Sequence, residues 1–238
     1  MIRSLCLLII IAGYLAQASD DGLPRLPLAD RSEVVIREVR DGVLAVGSVE
    51  LNKKDRSVTL DATVNMREGL IEYALVGEIG KVHESLLACK VKPQDLHMAI
   101  LLLGATNRRP KSEETRLPPG HPVQISIESK IDQYKKTARL EDWIIKDSDH
   151  SVMRRGMWVY SGSRVSDGFF MARRDESFVS IILDIDALVN NPRPGNENDE
   201  IWVANQKVVP PVGTPVKVTI KLLDVYETSF DDLTKTTK

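Results

Sequence analysis

One short stretch of the chain, residues 81–85 with the sequence KVHES, holds the side chains best suited to catalysis. Lys81, His83, Glu84 and Ser85 supply an ammonium group, an imidazole, a carboxylate and a hydroxyl, the groups that nucleophilic and general acid–base catalysis use. A catalytic triad needs its three members to converge in space. Neighbouring residues of an extended strand point to opposite faces, so an extended stretch would keep His83 and Glu84 from facing one substrate. These four residues are candidate catalytic residues without an assembled set.

A second stretch argues for a structural use of the same residue types. Residues 173–177 read RRDES, so the basic residue, the glutamate and the serine recur while the histidine becomes aspartate. Polar side chains in turns commonly bond to nearby backbone groups. We therefore interpret both stretches as turns that lead into strands. His83 is the member specific to the first stretch.

Two further residues are candidates for binding. His97 lies on a predicted helix that would approach His83 if the helix packed over the strand, and two histidines with a glutamate suit zinc. The residues after His83 lack the second histidine of a metalloprotease helix, so we expect no metal site. Trp202 is predicted to line a groove between two lobes, where ligand pockets tend to form.

The chain also predicts an internal duplication. Three pairs of segments match in chain order, at offsets that grow from 87 to 93: residues 66–73 with 153–160, 84–87 with 176–179, and 120–127 with 213–220. Units of this size bury too little surface to be stable alone, so the two copies would share one core. We predict an α+β class: a β-rich single domain built from two β-β-β-α-β units with pseudo-two-fold symmetry.

Hydrophobic periodicity and turn residues place the elements of each unit. Asp41-Gly42, between two β-rich runs, predicts a hairpin. Pro93 predicts the start of a helix and Gly104 its end. The first unit, residues 57–130, is predicted to contain strands at 58–64, 70–76, 86–91 and 123–129. The second unit, residues 139–224, is predicted to contain strands at 139–145, 178–183 and 216–223, a hairpin of 157–161 with 169–172, and a short helix at 184–190.

The N-terminal segment resembles an export signal. Arg3 precedes an apolar run, and Ala16-Gln17-Ala18 forms an A-x-A cleavage site. The run is shorter than the roughly 20 residues of a spanning helix, and an uncleaved anchor is the alternative. The predicted order is a signal peptide at 1–18, a flexible segment at 19–32, the domain at 33–227 and a polar tail at 228–238. We expect a periplasmic or extracellular protein with no integral membrane segment after cleavage.

Composition excludes several classes of function. The formal net charge of −2 gives no electrostatic case for binding nucleic acid. After cleavage Cys89 is the only cysteine, which excludes an internal disulfide and an iron–sulfur cluster with its about four cysteine ligands. Cys89 is predicted to be a buried, inert strand residue. The chain has no phosphate-binding or dinucleotide-binding motif, so we expect no cofactor.

Several segments resemble a known family. They are residues 75–77, 80–86, 91–93 and 101–104, followed by the VPPVGTPV segment at 209–216. Their ordered combination resembles the YdjY-like domain of bacterial exported proteins, over about residues 43–223. The resemblance implies an exported or periplasmic bacterial protein, and it implies no activity.

Two functional hypotheses follow. We favour a non-enzymatic module that binds or scaffolds at the cell envelope, with an envelope protein or a small ligand as its partner, because no catalytic set is assembled. The alternative is a hydrolase-type or metal-assisted enzyme that uses His83 with Glu84 or Glu78. The surroundings of His83 discriminate between the two.

Overall fold

A computed structural model describes residues 34–106, 119–131 and 134–224. The predicted signal peptide, flexible segment and polar tail lie outside these residues. Within them the chain forms sixteen strands and two α-helices. The strands are β1 (Ile36–Arg40), β2 (Val43–Val46), β3 (Val49–Asn52), β4 (Ser57–Val64), β5 (Tyr73–Gly77), β6 (Ser85–Cys89), β7 (His121–Ile131), β8 (Tyr134–Arg139), β9 (Ile144–Lys146), β10 (Trp158–Tyr160), β11 (Val165–Ser166), β12 (Phe169–Phe170), β13 (Ser177–Ser180), β14 (Val189–Asn190), β15 (Trp202–Ala204) and β16 (Pro215–Leu222). The helices are α1 (Pro93–Leu102) and α2 (Met171–Asp175).

Eight of these strands close into a barrel. Their order is β4-β16-β7-β10-β14-β13-β5-β6, and β6 pairs back to β4 through Thr63 with Ala88 and Val64 with Leu87. Strands β1 to β3 extend the sheet beyond β4, and β8 pairs with β7 outside the barrel. The predicted β-rich architecture with few helices is confirmed. Closure removes the free edges of a sheet, a feature that strand patterns alone do not specify.

Alternating side chains build the barrel core. In β16 every second residue is buried, from Val216 to Leu222, and β4 and β7 alternate in the same way. Strand β5, which lies between β6 and β13, is buried at all five positions. The predicted strands 58–64, 123–129 and 216–223 are confirmed in position and type. The inward side chains include Leu60, Leu75, Ile125, Trp158, Val218 and Ile220.

Helix α1 covers one side of the sheet. It begins at Pro93, where a missing N–H is harmless, and Gly104 follows its end with φ +84°, as predicted. Leu96 and Ile100 are fully buried where the helix packs against β2, β3 and β4. Neither helix formed by the described residues has the length and apolar run needed to cross a bilayer.

Three predicted elements need correction. The Asp41-Gly42 hairpin is present, but the run after it breaks at Gly47-Ser48 into two strands. Asp167-Gly168 joins β11 to β12, not residues 157–161 to 169–172. Residues 184–190 form no helix, because the Asp184 carboxylate accepts the Asp186 N–H and holds a turn before β14.

The predicted equivalence of residues 86–91 with 178–183 is only partly supported. Both segments contain a buried strand, β6 and β13. However, β6 runs parallel to β5, whereas β13 runs antiparallel to β5 and parallel to β14. The predicted strand at 139–145 is also wrong, because a 3₁₀ turn at Leu140–Trp143 separates the end of β8 from the start of β9. This segment therefore does not take the place that β4 has. The sequence offset that matches residues 84–87 with 176–179 therefore does not identify strands in equivalent positions of the sheet.

Cys89 lies inside the domain, as expected. It ends β6, is almost fully buried, and is a free thiol. Burial raises the pKa of the Cys89 thiol to about 12. The thiolate is the reactive form of cysteine, so we expect this residue to be inert in the folded protein.

Candidate functional site

The KVHES stretch is the link between two parallel strands. It contains a 3₁₀ turn at Val82–Glu84 and joins β5 to β6. The amide of Asn65 holds the turn by donating to the carbonyl oxygens of Val82 and Ser85, at 2.6 and 2.7 Å. Ser85 is fully buried, and its hydroxyl donates to the Leu87 carbonyl oxygen at 2.9 Å. Ser85 is therefore a structural residue and not an available nucleophile.

His83 lies at the surface of this turn. Its side chain is 77% exposed, and its Nε2 is 3.6 Å from Glu84 Oε2. The segment is a 3₁₀ turn that leads into β6, as interpreted from the sequence, and not an extended strand, so these neighbouring side chains can meet. Glu78 pairs instead with Lys90 at 3.6 Å, in an exposed position.

The other two predicted binding residues are buried. His97, on α1, has its Nδ1 2.7 Å from the Tyr160 hydroxyl and its ring 5.0 Å from that of Phe170. Trp202, on β15, donates from Nε1 to the Gly195 carbonyl oxygen at 3.2 Å. His97 is thus in different surroundings from exposed His83. In the described part of the chain, no three histidine, cysteine, aspartate or glutamate side chains are grouped to hold a metal ion.

Lys81 is the centre of a polar cluster at the same turn. Its Nζ lies 3.1 Å from the Tyr73 hydroxyl and 4.9 Å from the centre of the Tyr73 ring. The same ammonium lies 3.3 Å from Glu84 Oε1 and 3.9 Å from Glu72 Oε2. The Tyr73 hydroxyl donates to Asp184 Oδ2 at 2.9 Å. We call Glu72, Tyr73, Lys81, Glu84 and Asp184 the Lys81 cluster.

Barrel strands hold the cluster in place. The Glu72 N–H donates to the Glu84 carbonyl oxygen at 2.9 Å, and the Ile181 N–H donates to the Glu72 carbonyl oxygen at 2.8 Å. Tyr73 pairs with Ser85 on one side and with Ser180 on the other. The backbone thus brings three separate segments to the start of β5. Tyr73 is on a paired strand, and Glu72 and Glu84 lie directly before paired strands, so these groups keep their geometry better than groups on free loops.

The electrostatics of the cluster favour a cation. Two carboxylates lie within 4 Å of the ammonium group, and a third, that of Asp184, is linked to it through the Tyr73 hydroxyl. The carboxylates of Glu72 and Glu84 are mostly shielded from solvent, with side chains 19% and 20% exposed. Burial raises the pKa of Glu72, and the nearby negative charge of Glu84 raises it further. Burial and the Asp184 carboxylate also raise the pKa of Tyr73, so its phenol stays a neutral donor. An alkylammonium ion fits such a set through charge and through the aromatic face.

Glu72→Gln is expected to stabilise the protein at pH 7 and to lose this advantage as the pH falls. The raised folded-state pKa means that protonated Glu72 favours folding below the unfolded-state value of about 4.3. That contribution disappears as the pH rises through the folded-state pKa, and glutamine reproduces the protonated form. Thermal melts at pH 4 and pH 7 measure the difference. A larger gain at pH 4 than at pH 7 would contradict the assigned direction.

Sequence reasoning found Lys81 and Glu84 but missed Glu72, Tyr73 and Asp184. Asp184 lies 111 residues from Tyr73 in the chain, and it was predicted to begin the short helix at 184–190 and not to belong to a site. The available signal was Glu72-Tyr73, a charged residue beside an aromatic one at the start of a strictly apolar run. Glu176, matched to Glu84 in the sequence, has another role: its Oε2 accepts the Ile79 N–H at 3.1 Å.

Comparison with known proteins gives one match. A family model described as the YdjY domain matches residues 49–221, from β3 to the penultimate residue of β16. No curated protein and no solved structure matched the chain.

Proposed function

The chain belongs to the YdjY domain family, and on that premise we propose that it is an exported, non-enzymatic module that binds a cationic group of another molecule through the Lys81 cluster. The observation that carries the proposal is the position of the Lys81 ammonium. It lies within 4 Å of two carboxylates and of a phenolic oxygen, over an aromatic ring. The cluster therefore already accommodates an alkylammonium group of its own chain.

The geometry allows that group to be replaced. The Lys81 side chain is 47% exposed, so it reaches the cluster from the solvent side. An exposed ion pair contributes only about 0–1 kcal/mol, and a flexible lysine leaves such a position readily. The carboxylates of Glu72 and Glu84 are more buried than the lysine, and each lies directly before a barrel strand, β5 or β6. A lysine or arginine side chain of an envelope protein, or a small amine, would meet the same acceptors.

The same turn supports a catalytic function less well than a binding function. The Ser85 hydroxyl is committed to a backbone carbonyl in the core. Exposed His83 pairs with the mostly shielded carboxylate of Glu84, whose other oxygen pairs with the Lys81 ammonium and not with a hydroxyl or thiol nucleophile. A hydrolase would need a third group at this position. A hydrolase-type or metal-assisted enzyme is therefore not our proposal.

Export is supported by the sequence alone. The apolar run with its A-x-A site at residues 16–18 is the basis of the assignment. N-terminal sequencing of the protein from an envelope fraction is expected to give Ser19 as the first residue. A chain that stays in the cytoplasm with Met1 intact would contradict this part of the proposal.

The binding proposal is tested by isothermal titration of the purified protein with tetralysine. We expect binding that weakens at least tenfold in Glu72→Gln/Glu84→Gln, because both fixed acceptors lose their charge. The matched control is Glu128→Gln, which removes a carboxylate of the exposed Glu128–Lys135 pair elsewhere. Tetraglutamate is expected not to bind. If the Glu72→Gln/Glu84→Gln variant and the Glu128→Gln control bind tetralysine with equal affinity, the cluster is excluded as the site.

Duplication of the chain, with revised equivalences, is a second proposal. The strand pairing supports β4 with β10, β5 with β13, β6 with β14, and β7 with β16 as equivalent pairs. Each half has one parallel pair, β5 with β6 and β13 with β14. The halves meet where β5 pairs with β13 and where β7 pairs with β16, with Ser126 opposite Thr219. Superposition of the halves in an experimental structure is the test, and β5 falling on β10 would contradict it.

A further inference from the structure

A short sheet outside the barrel carries a row of apolar side chains. Its strands β9 and β15 pair with each other and place Val203 directly opposite Ile145. Single bridges extend the sheet on both sides, with Leu70 opposite Val203 and Val152 opposite Ile145. Directly opposite residues of antiparallel strands point to the same face, so these four side chains stand next to one another. At ~4.8 Å per strand, the row is about 14 Å long. We call Leu70, Val203, Ile145 and Val152 the apolar row.

The apolar row lies on the face of this sheet that is turned to solvent. Leu70 is 46% exposed and Val152 is 51% exposed, while Val203 and Ile145 are half-buried. The residues beside them in the chain are buried in the core: Ile71, Ile144, Met153, Trp202 and Ala204. Single exposed apolar residues are common on protein surfaces and need no explanation. Four that are adjacent across strands form a contiguous patch, and such patches mark interaction sites.

The apolar row adjoins the Lys81 cluster. Leu70 lies two residues before Glu72, so their Cα atoms are at most about 7 Å apart. The Glu72 N–H donates to the Glu84 carbonyl oxygen at 2.9 Å, which holds the second carboxylate of the cluster beside the first. Asp199 adds negative charge at this end, and its field contributes to the raised pKa of Glu72. The row therefore ends at a set of carboxylates.

These charges determine which partner fits the row. A basic side chain satisfies the carboxylates, and apolar side chains next to it cover the row, so both parts of the surface are matched at once. A purely apolar partner would leave the acidic end unmatched. We propose that the apolar row and the Lys81 cluster form one docking surface for a polypeptide segment of another protein, in which lysine or arginine adjoins apolar residues. This inference rests on the proposed cation binding, and it selects a protein partner over a small amine.

The test is isothermal titration of the purified protein with two octapeptides of equal charge. One is tetralysine extended by Leu-Val-Leu-Val, and the other is tetralysine extended by four glycines. Each extension is placed at either end, because a segment can enter the surface in two chain directions. We expect the apolar extension to bind at least about tenfold more tightly than the glycine extension in one of the two orders, because its side chains cover the row.

Variants locate the apolar contact. In Leu70→Ser/Val152→Ser the ratio of the two affinities is expected to fall to about one. The matched control is Val39→Ser, which changes another valine with 51% exposure, on edge strand β1, and is expected to keep the ratio of the wild type. A ratio that stays at the wild-type value in Leu70→Ser/Val152→Ser would overturn the assignment of the row.

The remaining outcomes separate this inference from the cation-binding proposal. If tetralysine binds and the apolar extension adds nothing, only the docking surface is overturned. If none of the peptides binds, both proposals fail together. Self-association in sedimentation velocity that disappears in Leu70→Ser/Val152→Ser would show that a second copy covers the row. Binding to phosphatidylcholine vesicles that disappears in the same variant would assign the row to a membrane, and either result contradicts the proposed partner.

Discussion

Glu141→Leu is expected to lower the free energy of unfolding by about 3–5 kcal/mol. Glu141 is fully buried, and its Oε1 accepts from Arg193 Nη2 at 2.8 Å and from Arg139 Nη2 at 3.0 Å. Arg193 is also buried, and its guanidinium lies 5.0 Å from the centre of the Trp158 ring. Burial lowers the pKa of Arg193 to about 10 even with its partner present. Removing the carboxylate leaves that buried charge without an ionic partner, held only by neutral acceptors such as the Arg154 carbonyl oxygen and Asn191 Oδ1.

Urea denaturation followed by tryptophan fluorescence measures the loss. For a domain of this size, each kcal/mol of lost stability lowers the melting temperature by about 2–4 °C. A thermal melt is therefore expected to show a drop of roughly 6–20 °C. The double variant Glu141→Leu/Arg193→Met is expected to recover part of the loss, because it removes both charges. Lys217→Ala, which breaks an exposed pair with Asp61, is the control at below about 1 kcal/mol. A loss in Glu141→Leu no larger than in this control would contradict the account.

Gly120→Ala is expected to destabilise the barrel by about 3 kcal/mol, at the upper end of overpacking effects. An added Cβ would lie 2.4 Å from the Tyr160 carbonyl oxygen and 2.6 Å from Val159 Cγ1. The nearer obstacle is backbone of β10, which pairs with the start of β7 at His121. Because no flexible side chain can give way there, the two strands must move apart.

Gly168→Ala is the matched control for this substitution. Its Cβ would meet nothing within 4 Å, so only its left-handed φ of +80° opposes the change, at about 1–2 kcal/mol. Urea denaturation of both variants gives the comparison. A smaller loss in Gly120→Ala than in Gly168→Ala would show that β7 and β10 are not packed as described.

Local patterns were sufficient for several elements. Strands β4, β7 and β16 alternate along the chain, and a period of two identifies a strand whose one face is buried. Pro93 and Gly104 mark the ends of α1 through their own backbone restrictions. Asp41-Gly42 is a turn by the same reasoning. Each of these signals lies within a few residues of the element that it predicts.

The barrel and its polar groups depend on contacts that are remote in sequence. Strand β14 has only two residues and carries no periodicity, yet it joins β10 to β13 and is needed for closure. Glu141 and Arg193 meet across 52 residues, and Tyr73 and Asp184 across 111. A sequence shows that these residues can be charged or polar. It does not show which of them the strand order brings together.

Titration of Lys81→Ala with tetralysine tests the central claim most directly, because Lys81 is the built-in occupant of the proposed site. Removing it frees the acceptors of Glu72, Tyr73 and Glu84 for an external ammonium group. The account predicts a dissociation constant about tenfold lower than that of the wild type, which corresponds to about 1.4 kcal/mol. Lys135→Ala, which removes an exposed lysine paired with Glu128, controls for the change in net charge. Weaker or unchanged binding in Lys81→Ala, relative to that control, would contradict the claim that the cluster is a cation-binding site.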